Sequence, residues 1–320
     1  MHLTGVDGKY RLSIRCKTIF KREMRIIMSD NKKRIEQMIN SNEISKKECY
    51  CVENEGVPLI KFHCLDEYGF VTLAFSTRFG GVSGGEYLSS LNFGWDRGDD
   101  DANVKENYKR MCKELKADYK KLVLSDQVHE DKVEYVDEQY TAGEEIKKKL
   151  KMTDGMVTDK KGLVLATSYA DCVPLFFVDT KNKAIGSSHS GWRGTVAQIG
   201  RKTVEKMKKC FGTDAKDLIC IIGPSICQNC YEVSRDVAAE FEKVFKKDTE
   251  RILKRNPGTA DKYLLNLWEA NRIILEKTGV PSENIHVSGL CTCCNPDILY
   301  SHRASGGKRG NLNGFIMLED

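Results

Sequence analysis

Ala170-Asp171-Cys172-Val173-Pro174-Leu175, the polar turn Thr180-Lys181-Asn182-Lys183 and His189-Ser190-Gly191-Trp192-Arg193-Gly194 frame two short apolar runs, and their arrangement decides the fold. Two such runs joined by a polar turn read as a β-hairpin. Folded about Lys181 and Asn182, this hairpin lays Cys172 almost opposite His189. Opposed residues of an antiparallel ladder have Cα atoms about 4.5 to 5.5 Å apart. A thiol and an imidazole therefore come within reach of a shared metal ion, or of each other.

Outward from the hairpin the same texture continues, with apolar runs divided by Gly, Asp and Asn. Strands are expected at 70–76, 122–128, 133–136, 163–169, 173–178 and 184–188. Helical periodicity appears at 102–116, 195–210, 237–245 and 267–277. Strands and helices mix without a regular βαβ alternation, so the expected class is α/β of the α+β kind, with mixed sheets covered by helices in one layered domain. No internal repeat or low-complexity segment is present. Residues 1–55 are basic and then helix-like at 31–38, and read as an N-terminal extension, helical or disordered in part; 56–320 read as the catalytic domain. Met28 is an alternative start, since the basic leader before it explains nothing downstream.

The chain has 320 residues, 40% of them hydrophobic before its 26 glycines are added, enough for a sizeable core. Its 51 basic and 46 acidic side chains are interspersed and leave a net charge of +5. That argues against the one-sided basic stripe of a nucleic-acid binder and for local pockets for small anions. Thirteen cysteines, an odd number in a long chain, fit a reducing cytoplasm better than a disulfide framework. Charged residues interrupt every apolar run before Met28, so neither a signal segment nor a membrane span is expected there. A soluble monomer is the expected state.

A third ligand would separate the ways in which Cys172 and His189 could be used. His129, in Gln127-Val128-His129 at the end of an expected strand, supplies one. Two histidines and a cysteine with a vacant fourth position match an open, catalytic zinc site. The residues alone leave two other readings standing: a metal-free Cys172/His189 nucleophilic dyad, and plain core filling by Cys172.

Eight motifs occur in order: Thr77-Arg78-Phe79-Gly80-Gly81-Val82-Ser83; Leu91-Asn92-Phe93-Gly94; Asp126-Gln127-Val128-His129; Thr153-Asp154-Gly155; Ala170-Asp171-Cys172-Val173-Pro174; His189-Ser190-Gly191-Trp192-Arg193-Gly194; Gly223-Pro224-Ser225-Ile226 with Cys230-Tyr231-Glu232-Val233; and Cys291-Thr292-Cys293 with Ser301-His302-Arg303. Over about 57–320 they resemble the laccase-domain family, also called polyphenol oxidase, purine nucleoside phosphorylase or peptidoglycan editing factor. The resemblance implies that His129, Cys172 and His189 ligate zinc, with copper as a possible substitute. It implies phosphorolysis of adenosine, inosine or methylthioadenosine, with adenosine deamination as a further activity. Departures from the pattern are Glu130 for a Gly after the first ligand, Trp95-Asp96-Arg97 for a segment that often carries a His, and Ala304 where a second Arg is common.

Three Gly-rich loops carry arginines: Arg78 with Gly80, Gly81, Gly84 and Gly85; Gly191-Trp192-Arg193-Gly194; and 303–310. Such loops are often only solvated connections, but the second lies between a strand and an expected helix, where backbone N–H groups suit phosphate. The expected partners are a purine nucleoside and phosphate, bound by Arg78, Asn92, Gly191, Arg193 and Arg303. Cys172, Asp171 and Arg78 are the expected catalytic residues, while Glu232 reads as structural. Cys227-x-x-Cys230 and Cys291-x-Cys293-Cys294 approach zinc-knuckle spacing, but one intervening residue is tight for two ligands on one ion, and the resemblance does not call for a second site.

A multicopper laccase would need a blue-copper centre and a three-copper cluster ligated mainly by histidine, more than six histidines can furnish. Weak oxidation by copper at a His2Cys site, amide hydrolysis of a muropeptide precursor and a metal-binding scaffold without turnover remain as competing functions.

Overall fold

In the computed structural model, residues 30–259 and 261–319 are described; the expected basic leader and the alternative start at Met28 lie outside them. Two six-stranded sheets form the middle of the molecule. The first runs β1 (Cys49–Val52), β2 (Leu59–Phe62), β3 (Val71–Ser76), β15 (Leu312–Leu318), β7 (Val164–Tyr169) and β4 (Leu122–Leu124). The second runs β14 (Ile285–Val287), β10 (Leu218–Ile222), β8 (Val173–Asp179), β9 (Ala184–Ser190), β6 (Gly155–Thr158) and β5 (Val133–Tyr135). A small third sheet joins β11 (Glu232–Ser234), β13 (Lys262–Leu265) and β12 (Leu253–Arg255). Both large sheets are mixed: β4 and β7 pair parallel, as do β5 with β6 and β10 with β14, and the other ladders are antiparallel.

Period-two alternation places the sheets face to face. In β8, Phe176 and Val178 join the apolar cluster that also holds Phe75, Leu165 and Ile316 of the first sheet, while Leu175 and Phe177 face a second cluster built with helices. Those helices are Ile199–Phe211, Arg235–Phe245 and Leu267–Lys277. On the far side, Val164, Ala166, Phe315 and Met317 pack against the helix Asp101–Glu114. The order is helix, sheet, sheet, helix, as a mixed α/β fold of this length requires to cover two apolar faces. Gly314 sets the closeness of the two sheets, because a Cβ there would lie 2.3 Å from Phe176 Cζ. No helix among the described residues is long and apolar enough to cross a membrane.

The expected strands and helices are present with shifted ends. The helical pattern at 195–210 is broken into Trp192–Val196 and Ile199–Phe211 by Gln198, which takes a left-handed conformation (φ 58°). Residues on both sides of the expected boundary at 55 pack together. β1 pairs with β2 from Cys49↔Phe62 to Val52↔Leu59, and Ile35, Met38 and Ile39 of the helix at 30–40 are buried in the inter-sheet cluster. We propose that these residues belong to the domain, since their apolar side chains are buried in the same cluster as both sheets. Ile35→Ala is therefore expected to cost about 2–5 kcal/mol of unfolding free energy, read as a lowered urea midpoint; an unchanged midpoint would restore the appendage.

Candidate metal centre

Both large sheets end at a common seam where the chain passes from one to the other. β7 leaves the first sheet at Tyr169 and enters the second at Val173, and Cys172 lies on that crossing. β4 leaves at Leu124 and β5 begins at Val133, and His129 lies on that second crossing. His189 comes from the end of β9, opposite Pro174 in the β8–β9 ladder. One donor atom from each of His129, Cys172 and His189 lies within 4.8 Å of the others. Among the described residues no fourth His, Cys, Asp or Glu completes this group, so a metal ion held here would keep an open coordination position.

Local backbone conformation aims these side chains. His129 and Asp171 both adopt positive φ, 64° and 83°, where Asp and His are among the more tolerated non-glycine residues. The Gln127 side chain imitates a paired strand: its amide donates to the Ser168 carbonyl (2.9 Å) and its oxygen accepts from Ser168 N–H (2.7 Å). That fastens the His129 segment to the end of β7. Gly191 is small by necessity, since a Cβ there would lie 3.1 Å from Cys172 Sγ and 3.4 Å from His129 Cδ2.

Asp154 orders the electrostatics from beneath. Its fully buried carboxylate accepts from the backbone N–H groups of Val128 (3.0 Å), His129 (3.0 Å) and Glu130 (3.1 Å), and pairs with His189 Nδ1 at 2.8 Å. Burial opposes its charge, but His189 and those N–H donors outweigh burial and hold its pKa below the usual carboxylate value. With Nδ1 engaged, Nε2 is the His189 nitrogen left to ligate, the carboxylate–histidine arrangement found behind many metal ligands. Desolvation alone would raise the Cys172 thiol; His189 and His129 beside it more than reverse that and lower it. His189 is shifted the opposite way, raised by Cys172 and Asp154 against its burial. The thiolate, the form that binds metal, is thus favoured before any ion arrives.

A cavity of about 350 Å³ opens onto the three donors. Phe93, Trp95, Tyr169, Arg97, Lys148 and Arg309 line it, together with Asp96 and Asp126. Of the expected anion-binding residues, Gly191 lies against the donors, whereas Arg78, Asn92, Arg193 and Arg303 are not among the residues that line this cavity. Arg78 donates to the carbonyls of Ser89 (2.9 Å), Pro296 (2.8 Å) and Glu86 (3.4 Å) and stacks on Tyr300. Arg303 donates to the carbonyls of Cys230 and Glu232, each at 3.0 Å. Arg193 lies over the ring of Trp192, and the helix after Gly191 has only five residues, Trp192–Val196. Asn92 is buried, its Oδ1 accepting from Gly94 N–H (2.7 Å) and Asn311 N–H (2.9 Å), so it supports the cavity wall from behind.

Asp171, expected as a proton carrier, spends both carboxylate oxygens on structure. Oδ1 accepts from the Thr292 hydroxyl and Oδ2 from Arg303 N–H, both at 2.6 Å. The residues that sequence reasoning passed over are Asp154, Gln127, Arg97, Lys148 and Arg309. Asp154 carried a signal, its place in the Thr153-Asp154-Gly155 motif, and the fold pairs Gly155 across the ladder with Ser188, next to His189. Arg309 sits in the third Gly-rich loop. Burial and then Arg97 lower its pKa to about 10, and its buried Nε has no hydrogen-bond partner. Of the three remaining described histidines, His63 pairs with Asp66 and His286 with Glu48, both at 2.9 Å, and neither these two nor His302 joins a group of potential metal ligands.

The family model described as multi-copper polyphenol oxidoreductase laccase matches residues 72–319. Purine nucleoside phosphorylase YlmD of Bacillus subtilis is 38% identical over 252 residues, spanning 78% of this chain and 89% of that protein. Adenosine deaminase RL5, from an unknown prokaryotic organism, is 35% identical over 239 residues, 74% of this chain and 90% of its own. The crystal structure of the hypothetical protein YfiH of Bacillus licheniformis is similar with a TM-score of 0.77 at 33% identity, covering 82% of this chain and 96% of that one. With the fold, the motif order and the His129, Cys172 and His189 geometry in agreement, the chain belongs to the multi-copper polyphenol oxidoreductase laccase family, among relatives named purine nucleoside phosphorylase.

Proposed function

We propose that this protein is a zinc-dependent purine nucleoside phosphorylase acting on adenosine, inosine and methylthioadenosine, with adenosine deamination as a second reaction at the same centre. The observation that carries the reading is the juxtaposition of an open His2Cys donor set with a cationic cavity in which a buried Arg309 Nε lacks a partner. Two imidazoles and one thiolate suit zinc among the common divalent ions. Bound zinc would supply Lewis acidity toward water or a purine heteroatom.

The protein's own groups account for the rest of the proposed reaction. Arg309, with Arg97 and Lys148, would bind phosphate and hold it against the ribose, since charge-assisted contacts to guanidinium fix both position and orientation. A phosphate oxygen forms the bond to C1′ as the bond from C1′ to the purine nitrogen breaks, and the leaving purine takes up a proton. Dihydrogen phosphate would supply that proton, and Asp96 and Asp126, the carboxylates that line the cavity, would relay it. Phe93, Trp95 and Tyr169 offer aromatic surface for the base. The cavity volume lies within the usual range for small-ligand sites, about 300 to 1,000 Å³.

Incubating zinc-loaded protein with adenosine, with and without phosphate, separates the possibilities by chromatography. Phosphate-dependent adenine and ribose 1-phosphate are expected, and inosine would report deamination; no purine product under either condition would overturn the proposal. Arg309→Gln should raise the KM for phosphate roughly 10- to 100-fold, because one hydrogen bond to a charged partner is worth about 1.5–3 kcal/mol, while the KM for the nucleoside moves little. Equal changes in both constants would remove Arg309 from the phosphate site.

Asp154→Asn tests the support beneath the ligands. Zinc affinity, measured by chelator competition, should fall about 10- to 100-fold, with Arg78→Ala as an unaffected control. Wild-type affinity in Asp154→Asn would mean that the histidines are oriented by other contacts.

A further inference from the structure

The structure gathers a second set of soft donors, away from the His129, Cys172 and His189 centre. Cys227, Cys230, Cys291 and Cys294 each bring a sulfur, and all four lie within 4.8 Å of one another. The sequence spoke against a metal here on two grounds, a resemblance that does not call for a second site and the single residue between Cys291 and Cys293; the fold removes the latter, since it uses Cys294 and leaves Cys293 outside the group. The spacing is then two paired Cys-x-x-Cys turns, the arrangement of closed structural zinc sites.

A parallel bridge between Ser225 and Cys291 holds the turns in register: Ser225 N–H donates to the Leu290 carbonyl (3.1 Å) and Thr292 N–H to the Ser225 carbonyl (3.2 Å). The sulfur of Cys291 accepts from two N–H groups, of Cys227 (3.3 Å) and Cys294 (3.4 Å). Hydrogen bonds of this kind orient sulfur ligands around an ion. Cys230 and Cys294 sulfurs are 3.4 Å apart, well beyond a disulfide bond of about 2.05 Å and close to the roughly 3.8 Å that tetrahedral ligation at about 2.3 Å per sulfur implies. Cys291 is buried and Cys294 exposed, so the cluster is anchored in the fold and open to an arriving ion.

We propose that Cys227, Cys230, Cys291 and Cys294 form a closed four-thiolate site for a structural zinc ion, distinct from the open centre. Binding releases the thiol protons to solvent and involves no change of oxidation state. The ion ties the turn at 227–230 to the turn at 291–294. Both turns reach the rim of the open centre: Thr292 donates to Asp171, beside the ligand Cys172, and Arg303 links Asp171 to the carbonyl of Cys230. The second ion thereby fixes the crossing that carries Cys172 while taking no part in catalysis.

Elemental analysis of protein purified under reductant tests this independently of any activity. The native chain should carry about two zinc ions, Cys172→Ala about one, Cys230→Ser about one and Cys293→Ser about two. Cobalt substitution of Cys172→Ala, which keeps all four thiols, should give an intense thiolate-to-cobalt absorption band, so the test survives if Cys230→Ser fails to fold. A single ion in the native chain that Cys172→Ala abolishes, absence of the cobalt band, or a Cys230–Cys294 disulfide found by alkylation and mass spectrometry would each overturn the proposal.

Discussion

The Asp154 carboxylate is the point on which the site depends. A buried negative charge is tolerable only when it is paired and hydrogen-bonded, and Asp154 meets that condition with three successive backbone N–H groups and one imidazole. The same contacts that satisfy the charge fix two ligands at once. They curl 128–130 around the carboxylate, which sets the position of His129, and they commit Nδ1 of His189, which selects its other nitrogen for a metal.

The sandwich supplies the third ligand through its connections. A chain that passes from one sheet to a facing sheet does so at a strand end, and two such passages follow the neighbouring strands β4 and β7. Cys172 and His129 ride on these passages while His189 ends the strand between them, so three residues remote in sequence converge without a long loop. Close approach then demands small residues: Gly191 against the ligand side chains and Gly314 beneath the ring of Phe176.

Much of this was legible in the sequence because hairpins are local. The turn at Lys181 and Asn182 fixed the register of β8 on β9, and the ladder observed, with Pro174 opposite His189, leaves Cys172 one residue beyond its end. β15 was not legible. Asn313 and Gly314 interrupt its apolar run, and their reasons are tertiary: Asn313 N–H donates to Ser76 Oγ, its side chain donates to the Tyr108 hydroxyl, and Gly314 admits Phe176. The helical stripe Ile35, Met38 and Ile39 was visible but had no partner until β1 joined the first sheet. Arginine was the least readable residue. Gly-rich loops predicted anion binding at Arg78 and Arg303, yet a guanidinium reaches far enough to serve backbone carbonyls instead, and only Arg309 of those loops faces the cavity.

The central claim is that His129, Cys172 and His189 hold one metal ion whose fourth position is free of protein. Crystals grown with zinc, with diffraction recorded on both sides of the zinc absorption edge, would locate the ion directly. The account predicts an anomalous peak about 2.0–2.3 Å from both imidazoles and the Cys172 sulfur, with no fourth protein donor. No peak at that point, or a peak closed by another side chain, would contradict it.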